Sequence, residues 1–213
     1  WGDTLVLLCA LAWAVHVLLI GRFSPRCDAI ELAAAQFRLD QARIGSKPQN
    51  TRVRAAIEQA KATYLQAKAQ LCSTFGNIPE ERLNWSPSQT ARTPIQIVAH
   101  CATAVKSINA QMEGTPFHYK TTAEAETAFR KDELQFHSRE QVLNYLEEVS
   151  NNYLAWLDAL TPERLASIAQ LPFGLGAMPV ENWLPFPAHH TRHHAAQLEY
   201  IQTIYGDQDW HLG

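Results

Sequence analysis

The chain has 213 residues, of which 46% are hydrophobic and 18% charged, with a formal net charge of −3. That length can bury a core in one domain plus an appendage, and the slightly acidic balance lacks the basic footprint of a nucleic-acid binder, so nucleic acid is not an expected partner. Four scattered cysteines (Cys9, Cys27, Cys72 and Cys101) form no CxxC pair, which argues against a zinc ribbon or disulfide framework and fits a reducing compartment; any chemistry falls to His, Asp and Glu.

In chain order, the first element is "LVLLCALAWAVHVLLIG", Leu5–Gly21, apolar throughout except for His16. Its length sits at the lower limit for a membrane-spanning helix. Asp3 has the wrong charge for the flank of a signal peptide, and no A-x-A cleavage site follows. Arg22 and Arg26 come just after the run, so the positive-inside rule places everything downstream in the cytoplasm. The stretch "GDTLVLLCALAWAVHVLLIGRFSPRCDAIELAAAQF", residues 2–37, resembles one transmembrane helix and the start of the next from an EamA-type drug/metabolite transporter. Such transporters need many more spans, and the chain opens on Trp1 rather than Met. The segment is therefore read as a fragment, a fusion or a relic anchor giving membrane contact through residues 5–21, or else as a buried helix of a soluble protein. "GSKPQN", Gly45–Asn50, follows as a linker of turn formers. The expected division is a hydrophobic, transmembrane-like segment with its linker at 1–45 and a helical domain at 46–213.

The rest reads helical, with no sustained period-two alternation. Val53, Ile57, Ala60, Tyr64, Ala67, Leu71 and Phe75 form one stripe of a first helix, at steps of three and four. A second begins in "TPIQIVAHCATAVKSINAQM", where Thr93 caps, Pro94 sits at the first helical position and Gln96 completes a capping box. Its inward stripe is Ile97, His100, Ala104 and Ile108. "TTAE", Thr121–Glu124, predicts a short extra helix. A capping box at Ser138–Gln141 then opens a third long helix, with Val142, Leu146, Val149, Tyr153, Trp156 and Leu160 inward. "TPERLASIAQLPFGLGAMPV" predicts a short helix and then a Gly/Pro loop. The last helix is expected from about Pro187, because Leu184 and Phe186 each precede a proline and are disfavoured from helical backbone. Four amphipathic helices with long middle connections predict an all-α four-helix bundle.

The last helix opens with four histidines in six residues, "HHTRHH", 189–194. Traced back from Tyr205, Ile201, Leu198 and Gln197, the inward line reaches His194 and His190. The pair His189 and His193 continues into Ala196, Tyr200 and Ile204 and is placed at the bundle margin. A lone inward histidine such as His100 is ordinarily a hydrogen-bonded core residue. Three of them, each with polar nitrogens whose unpartnered burial costs about 1–3 kcal/mol, are better accounted for by a divalent metal that satisfies all three. An i,i+4 pair brings two side chains from one helix to a common point, and three His ligands leave a coordination position open, as catalytic sites do. Zinc or nickel suits imidazole, and ferrous iron also fits.

These residues resemble the DinB-like (DinB/YfiT) superfamily of metal-binding four-helix bundles over about 52–213. "ERLNWSPSQTARTPIQIVAHCA" is similar to its tryptophan–proline turn leading into a helix with a metal-binding histidine, here His100. "HTRHHAAQLEYIQTIYGD" is similar to its terminal H-x-x-x-H helix with a glutamine three residues on, here His190, His194 and Gln197. The prolines crowding 183–187 depart from that pattern. The resemblance implies a divalent metal in a His triad, frequently a homodimer, and a small-molecule substrate; characterised members include S-transferases and isomerases that use small thiols such as bacillithiol or mycothiol. The expected function is a metal-dependent enzyme of the thiol-transferase or hydrolase kind in the cytoplasm. A non-enzymatic metal-binding or stress-response module and a membrane-associated accessory protein are the alternatives. No residue stands out as a general base. Gln197 is read as a hydrogen-bonding partner of the ligands or a core-edge amide, and Trp85, Trp183 and Phe186 as pocket lining or ordinary aromatic packing. Cys101 projects about a hundred degrees away from His100 and is read as a small core residue.

Overall fold

The structure, a computed structural model, describes residues 49–209 and 211. The transporter-like span 2–37, the apolar run 5–21 and the expected segment 1–45 lie outside the described residues. Among the described residues no helix is long and apolar enough to cross a membrane.

Four long helices make the bundle: α1 (Gln49–Gly76), α2 (Pro94–Met112), α4 (Arg139–Asp158) and α7 (Phe186–Ile204), with α3 (Thr122–Glu133) on the connection between α2 and α4. After α4 come α5 (Pro162–Ala166), a small antiparallel hairpin of β1 (Ile168–Gln170) and β2 (Ala177–Pro179), and α6 (Val180–Trp183). The hairpin corrects the expectation of a plain Gly/Pro loop. Its strands are three residues each, paired Ile168 with Pro179 through Gln170 with Ala177, too short to show the alternation that marks a strand in sequence. Likewise Gln49 and Asn50, read as the end of a linker, are already the first turn of α1.

The stripes place the core as their spacing predicts. Ile57, Ala60, Tyr64, Ala67, Leu71 and Phe75 of α1 are all buried, and so are Val142, Leu146, Val149 and Tyr153 of α4. Near the end of α4 the buried position is Leu157, while Trp156 is only half-buried; a 3.6-residue period drifts off a strict four-three spacing over five turns. α2 is buried on nearly every side, with Ile95, Val98, Ala99, Cys101, Ala102 and Val105 joining Ile97 and Ala104 in the core. It is the central helix, packed on α3, α4 and α7, and apolar residues all round are what such a position requires.

Polar contacts set the helix directions. Arg192 donates to the Thr63 carbonyl (3.4 Å), and Gln70 donates to Glu199 (3.2 Å), so α1 and α7 run parallel. Lys61 meets Asp158 (2.6 Å) and Arg139 donates to the Phe75 carbonyl (2.6 Å), so α4 runs against α1. Inside, the Tyr64 and Ser150 hydroxyls are 2.7 Å apart and Tyr153 donates to the Leu184 carbonyl (3.1 Å), which gives partners to hydroxyls that would be costly to bury unpaired.

Helix starts follow their caps. The Thr93 side chain accepts from the Gln96 N–H and the Gln96 side chain accepts from the Thr93 N–H, a complete capping box. At Ser138 only half of the expected box forms: the hydroxyl accepts from the Gln141 N–H, but the Gln141 side chain accepts from the His137 N–H instead. Thr121 caps α3. α7 starts at Phe186 with Pro187 inside its first turn, one residue before the expected start.

The Thr93 box sets where α2 begins and hence which way His100 faces. Thr93→Ala should lower unfolding stability by about 1 kcal/mol in urea titrations while leaving helical content intact, and Thr93→Ser should recover most of it.

Candidate metal centre

Two helices bring three histidines together. His100 lies on the buried face of α2; His190 and His194 lie one turn apart on α7. One ligand atom from each falls within 4.8 Å of the others. The ring centroids are 4.5 Å apart for His190–His194, 4.8 Å for His100–His194 and 5.2 Å for His100–His190. His100 and His194 are buried and His190 half-buried, whereas His189 and His193 are exposed.

The hydrogen bonds choose the tautomers. His100 Nδ1 lies 2.9 Å from Oε1 of Glu133, a fully buried carboxylate. Glu133 also accepts from Arg92 Nε at 2.7 Å, and Arg92 in turn reaches Glu126 at 2.8 Å. Burial alone would raise the Glu133 carboxyl, but hydrogen bonds from His100 and Arg92, with the charge of Arg92, outweigh it and hold the group below the ordinary glutamate value. An ionised carboxylate can only accept, so the His100 proton sits on Nδ1 and the Nε2 lone pair is free. His194 repeats the pattern: its Nδ1 donates to Gln197 Oε1 at 2.7 Å. A carboxylate or amide behind each imidazole is the arrangement that orients metal-binding histidines.

His190 supplies the most direct test of fit. Its Nε2 is buried with no hydrogen-bond partner among the described residues. Such an orphaned nitrogen is costly to bury, and a divalent cation satisfies it together with the two neighbouring Nε2 lone pairs. His190 and His194 are also kept neutral. Burial first, and then the proximity of His194 and His100, push His190 well below the ordinary histidine value. Burial and the nearby His100 lower His194 to about 4, against a hydrogen bond from Gln197 that favours the charged form. Neutral imidazole is the ligating form.

Glu133 and Arg92 are the residues that sequence reading missed. Glu133 is 33 residues from His100 on another helix, at a position with no apolar stripe to flag it. The only legible hint is a glutamate near the end of a short helix that follows a long polar connection. Gln197 hydrogen-bonds His194, although the line of burial on α7 runs through Ala188, Thr191, Ala195, Leu198 and Gln202, so Gln197 and Tyr205 fall beside it. Trp183 is buried and stacks on Phe186 with centroids 5.7 Å apart. Trp85 packs edge-on against Tyr205 at 6.0 Å, under the Arg82 guanidinium, at the other end of α7 from His190. Cys101 is fully buried, and burial pushes its thiol up.

The chain belongs to the DinB superfamily, whose sequence profile matches residues 47–198. No curated protein matches by sequence. Among solved structures, YfiT from Bacillus subtilis, described as "a probable metal-dependent hydrolase with an unusual four-helix bundle topology", superposes with a TM-score of 0.56 at 17% identity, covering 76% of this chain and 92% of that one. A structure described as Sibling Lethal Factor Precursor, DfsB, gives a TM-score of 0.56 at 17% identity, over 70% of this chain and 96% of that one. At that identity both establish a shared fold, the DinB/YfiT four-helix bundle. The transporter-like span 2–37 lies outside the matched residues.

Alanine at His100, His190 or His194 should each abolish tight binding in zinc titrations of the full chain. The double change His189→Ala with His193→Ala should keep about one ion per chain, as expected for a single three-His site. Glu133→Gln should weaken zinc affinity by about 10- to 100-fold, the range for partners that stand behind a ligating histidine.

The neutral rings also set an acid limit on the metal-free chain. In the unfolded chain histidine takes up protons near 6.5, but folded His194 resists until about 4. Between those values the unfolded state binds more protons, so stability should be full above 6.5 and fall as pH drops toward 4. Glu133, held below its ordinary 4.5, adds a loss of the same sign at still lower pH. Urea midpoints of the chelator-treated protein should fall between pH 7 and pH 4.5, with part of that slope gone in His194→Leu; a flat midpoint over that range is the contrary result.

Proposed function

We propose that this DinB-superfamily chain is a metal-dependent enzyme of the hydrolase or thiol S-transferase kind, in which His100, His190 and His194 hold a divalent ion and leave a coordination position open. The observation that carries this reading is the buried, unpartnered Nε2 of His190 beside two imidazoles whose Nδ1 atoms are already engaged. Zinc or nickel suits three neutral imidazoles, and ferrous iron is the third choice. When bound, such an ion polarises an electrophile and lowers the pKa of water or a thiol at neutral pH.

The chain's own residues supply the rest. Glu133 and Gln197 hold the His100 and His194 rings in the tautomer that aims Nε2 at the common point. Arg92 keeps Glu133 ionised and in place. Because that carboxylate is fully used by Arg92 and His100, it positions a ligand rather than shuttling a proton. Cys101, buried with its thiol pushed up, is not a nucleophile. The nucleophile therefore comes from outside the chain, as water or as a small thiol of the bacillithiol or mycothiol type. Water is the first reading, supported by the hydrolase description given for YfiT. The family resemblance supports a cytoplasmic homodimer acting on small molecules.

The full chain, loaded separately with zinc, nickel and ferrous iron, should hydrolyse members of a panel of activated esters and amides, or conjugate a small thiol to an electrophilic dye. Turnover should vanish on chelation and return with metal. Stoichiometric metal binding with no turnover in either panel would favour the alternative of a non-enzymatic metal-binding module.

A further inference from the structure

Beside the triad lies a set of aromatic rings that the bundle core does not use. Phe129 of α3 meets the His100 ring edge-on, with centroids 5.9 Å apart. Tyr119 meets Phe129 at 5.9 Å, Phe117 meets Tyr119 at 5.4 Å, and Phe173 meets Phe117 at 5.1 Å, each at an interplanar angle of 74–80°. All four are half-buried, yet none packs against the main hydrophobic core, unlike Trp85, Phe136, Tyr145, Trp156 and Phe186. They come from three separate segments: the extended connection after α2, where Phe117 and Tyr119 are half-buried and His118 and Lys120 exposed; helix α3; and the turn between β1 and β2. Three segments thus converge on a path of rings that ends at a candidate metal ligand.

The far end of that path is held in a backbone conformation that aromatic residues rarely adopt. Phe173 has φ 58° and ψ 19°, in the left-handed region, immediately before Gly174 at φ 73°. A non-glycine residue persists there only where its surroundings over-determine it, and such strain gathers at ligand clamps and active sites. Two successive left-handed residues make this turn: Gly174 takes the second without penalty. The first is an aromatic residue whose ring stands against Phe117.

Building on the metal-dependent reading above, we propose that Phe129, Tyr119, Phe117 and Phe173 form a subsite for an aromatic group carried by the substrate, next to the atoms that react at the His triad. The rings present edges and faces to an incoming aryl group, which edge-to-face contact favours beyond simple burial of area. The substrate class is then an aryl ester, aryl amide or aryl-bearing electrophile rather than a small polar one.

The test uses hydroxamates, whose head group chelates zinc, on the zinc-loaded full chain by calorimetry. Acetohydroxamate carries a methyl tail, benzohydroxamate one ring, and biphenyl-4-hydroxamate two. Affinity should rise by about tenfold with the first ring and again with the second, as about 1.4 kcal/mol per ring would give. Phe129→Leu should shrink the first gain, and Phe173→Gly should remove the second while leaving zinc stoichiometry and acetohydroxamate affinity unchanged. Glycine accepts the left-handed φ, so loss of the Phe173 ring should not cost folding; its melting temperature checks this. Equal affinity for the three tails, or gains that persist in both variants, overturns the aromatic subsite and leaves the metal centre standing. Failure to bind zinc at all overturns the metal reading and this inference together.

Discussion

The site depends on one constraint: three imidazole rings packed within 4.5–5.2 Å of one another cannot all carry a proton inside a bundle. A positive ring would lose its hydration and repel its neighbours, so burial and mutual proximity push His190 and His194 toward the neutral form. Neutral rings need their nitrogens satisfied, and the protein supplies partners for only some of them. Glu133 accepts a hydrogen bond from His100 Nδ1 and Gln197 one from His194 Nδ1, while the His190 Nε2 has no partner among the described residues. What remains is a buried nitrogen without a partner among the described residues, beside two imidazoles whose other nitrogens are engaged, an arrangement that a divalent cation would satisfy.

That centre couples parts of the chain that the bundle alone would leave independent. Helix α3 is largely polar and buries only Ala125 and Glu133. Its anchor is electrostatic: Arg92, just ahead of α2, pairs with Glu126 and Glu133, and Arg130 pairs with Glu126 at 2.7 Å. A fully buried carboxylate is tolerated because a guanidinium and an imidazole N–H share it. Replacing such a pair by apolar residues is often neutral for stability, so its role is better sought in orienting His100 than in holding the fold. The same helix carries Phe129 against that ring. One short helix thus places both the group that fixes the His100 tautomer and the first ring of the aromatic path.

Membership of the DinB superfamily fixes the architecture, but a shared bundle does not name a reaction. Here the local chemistry narrows the choice. Among the described residues, Cys101 beside His100 is buried with its thiol pushed up, and Glu133 is committed to an arginine and a histidine. For the proposed reaction that leaves water or a small thiol from solution, which hydrolysis and thiol transfer share.

The sequence by itself determined the four stripes, the capping box at Thr93 and that His190 and His194, rather than His189 and His193, turn toward His100. Each of these rests on spacing along one helix, where the 3.6-residue period ties sequence position directly to direction. The finer turns escaped it for the same reason. Trp156 gave way to Leu157 because a stripe drifts over five turns, and the β1–β2 hairpin was invisible because three-residue strands carry no readable alternation. Only the tertiary structure could decide what stands behind and beside the histidines. Glu133 meets His100 across 33 residues of chain, Arg92 joins them from a loop, and Tyr119 links Phe129 of one segment to Phe117, which meets Phe173 of another. Such contacts follow from how helices and loops pack in space, and no periodicity within any one element encodes them.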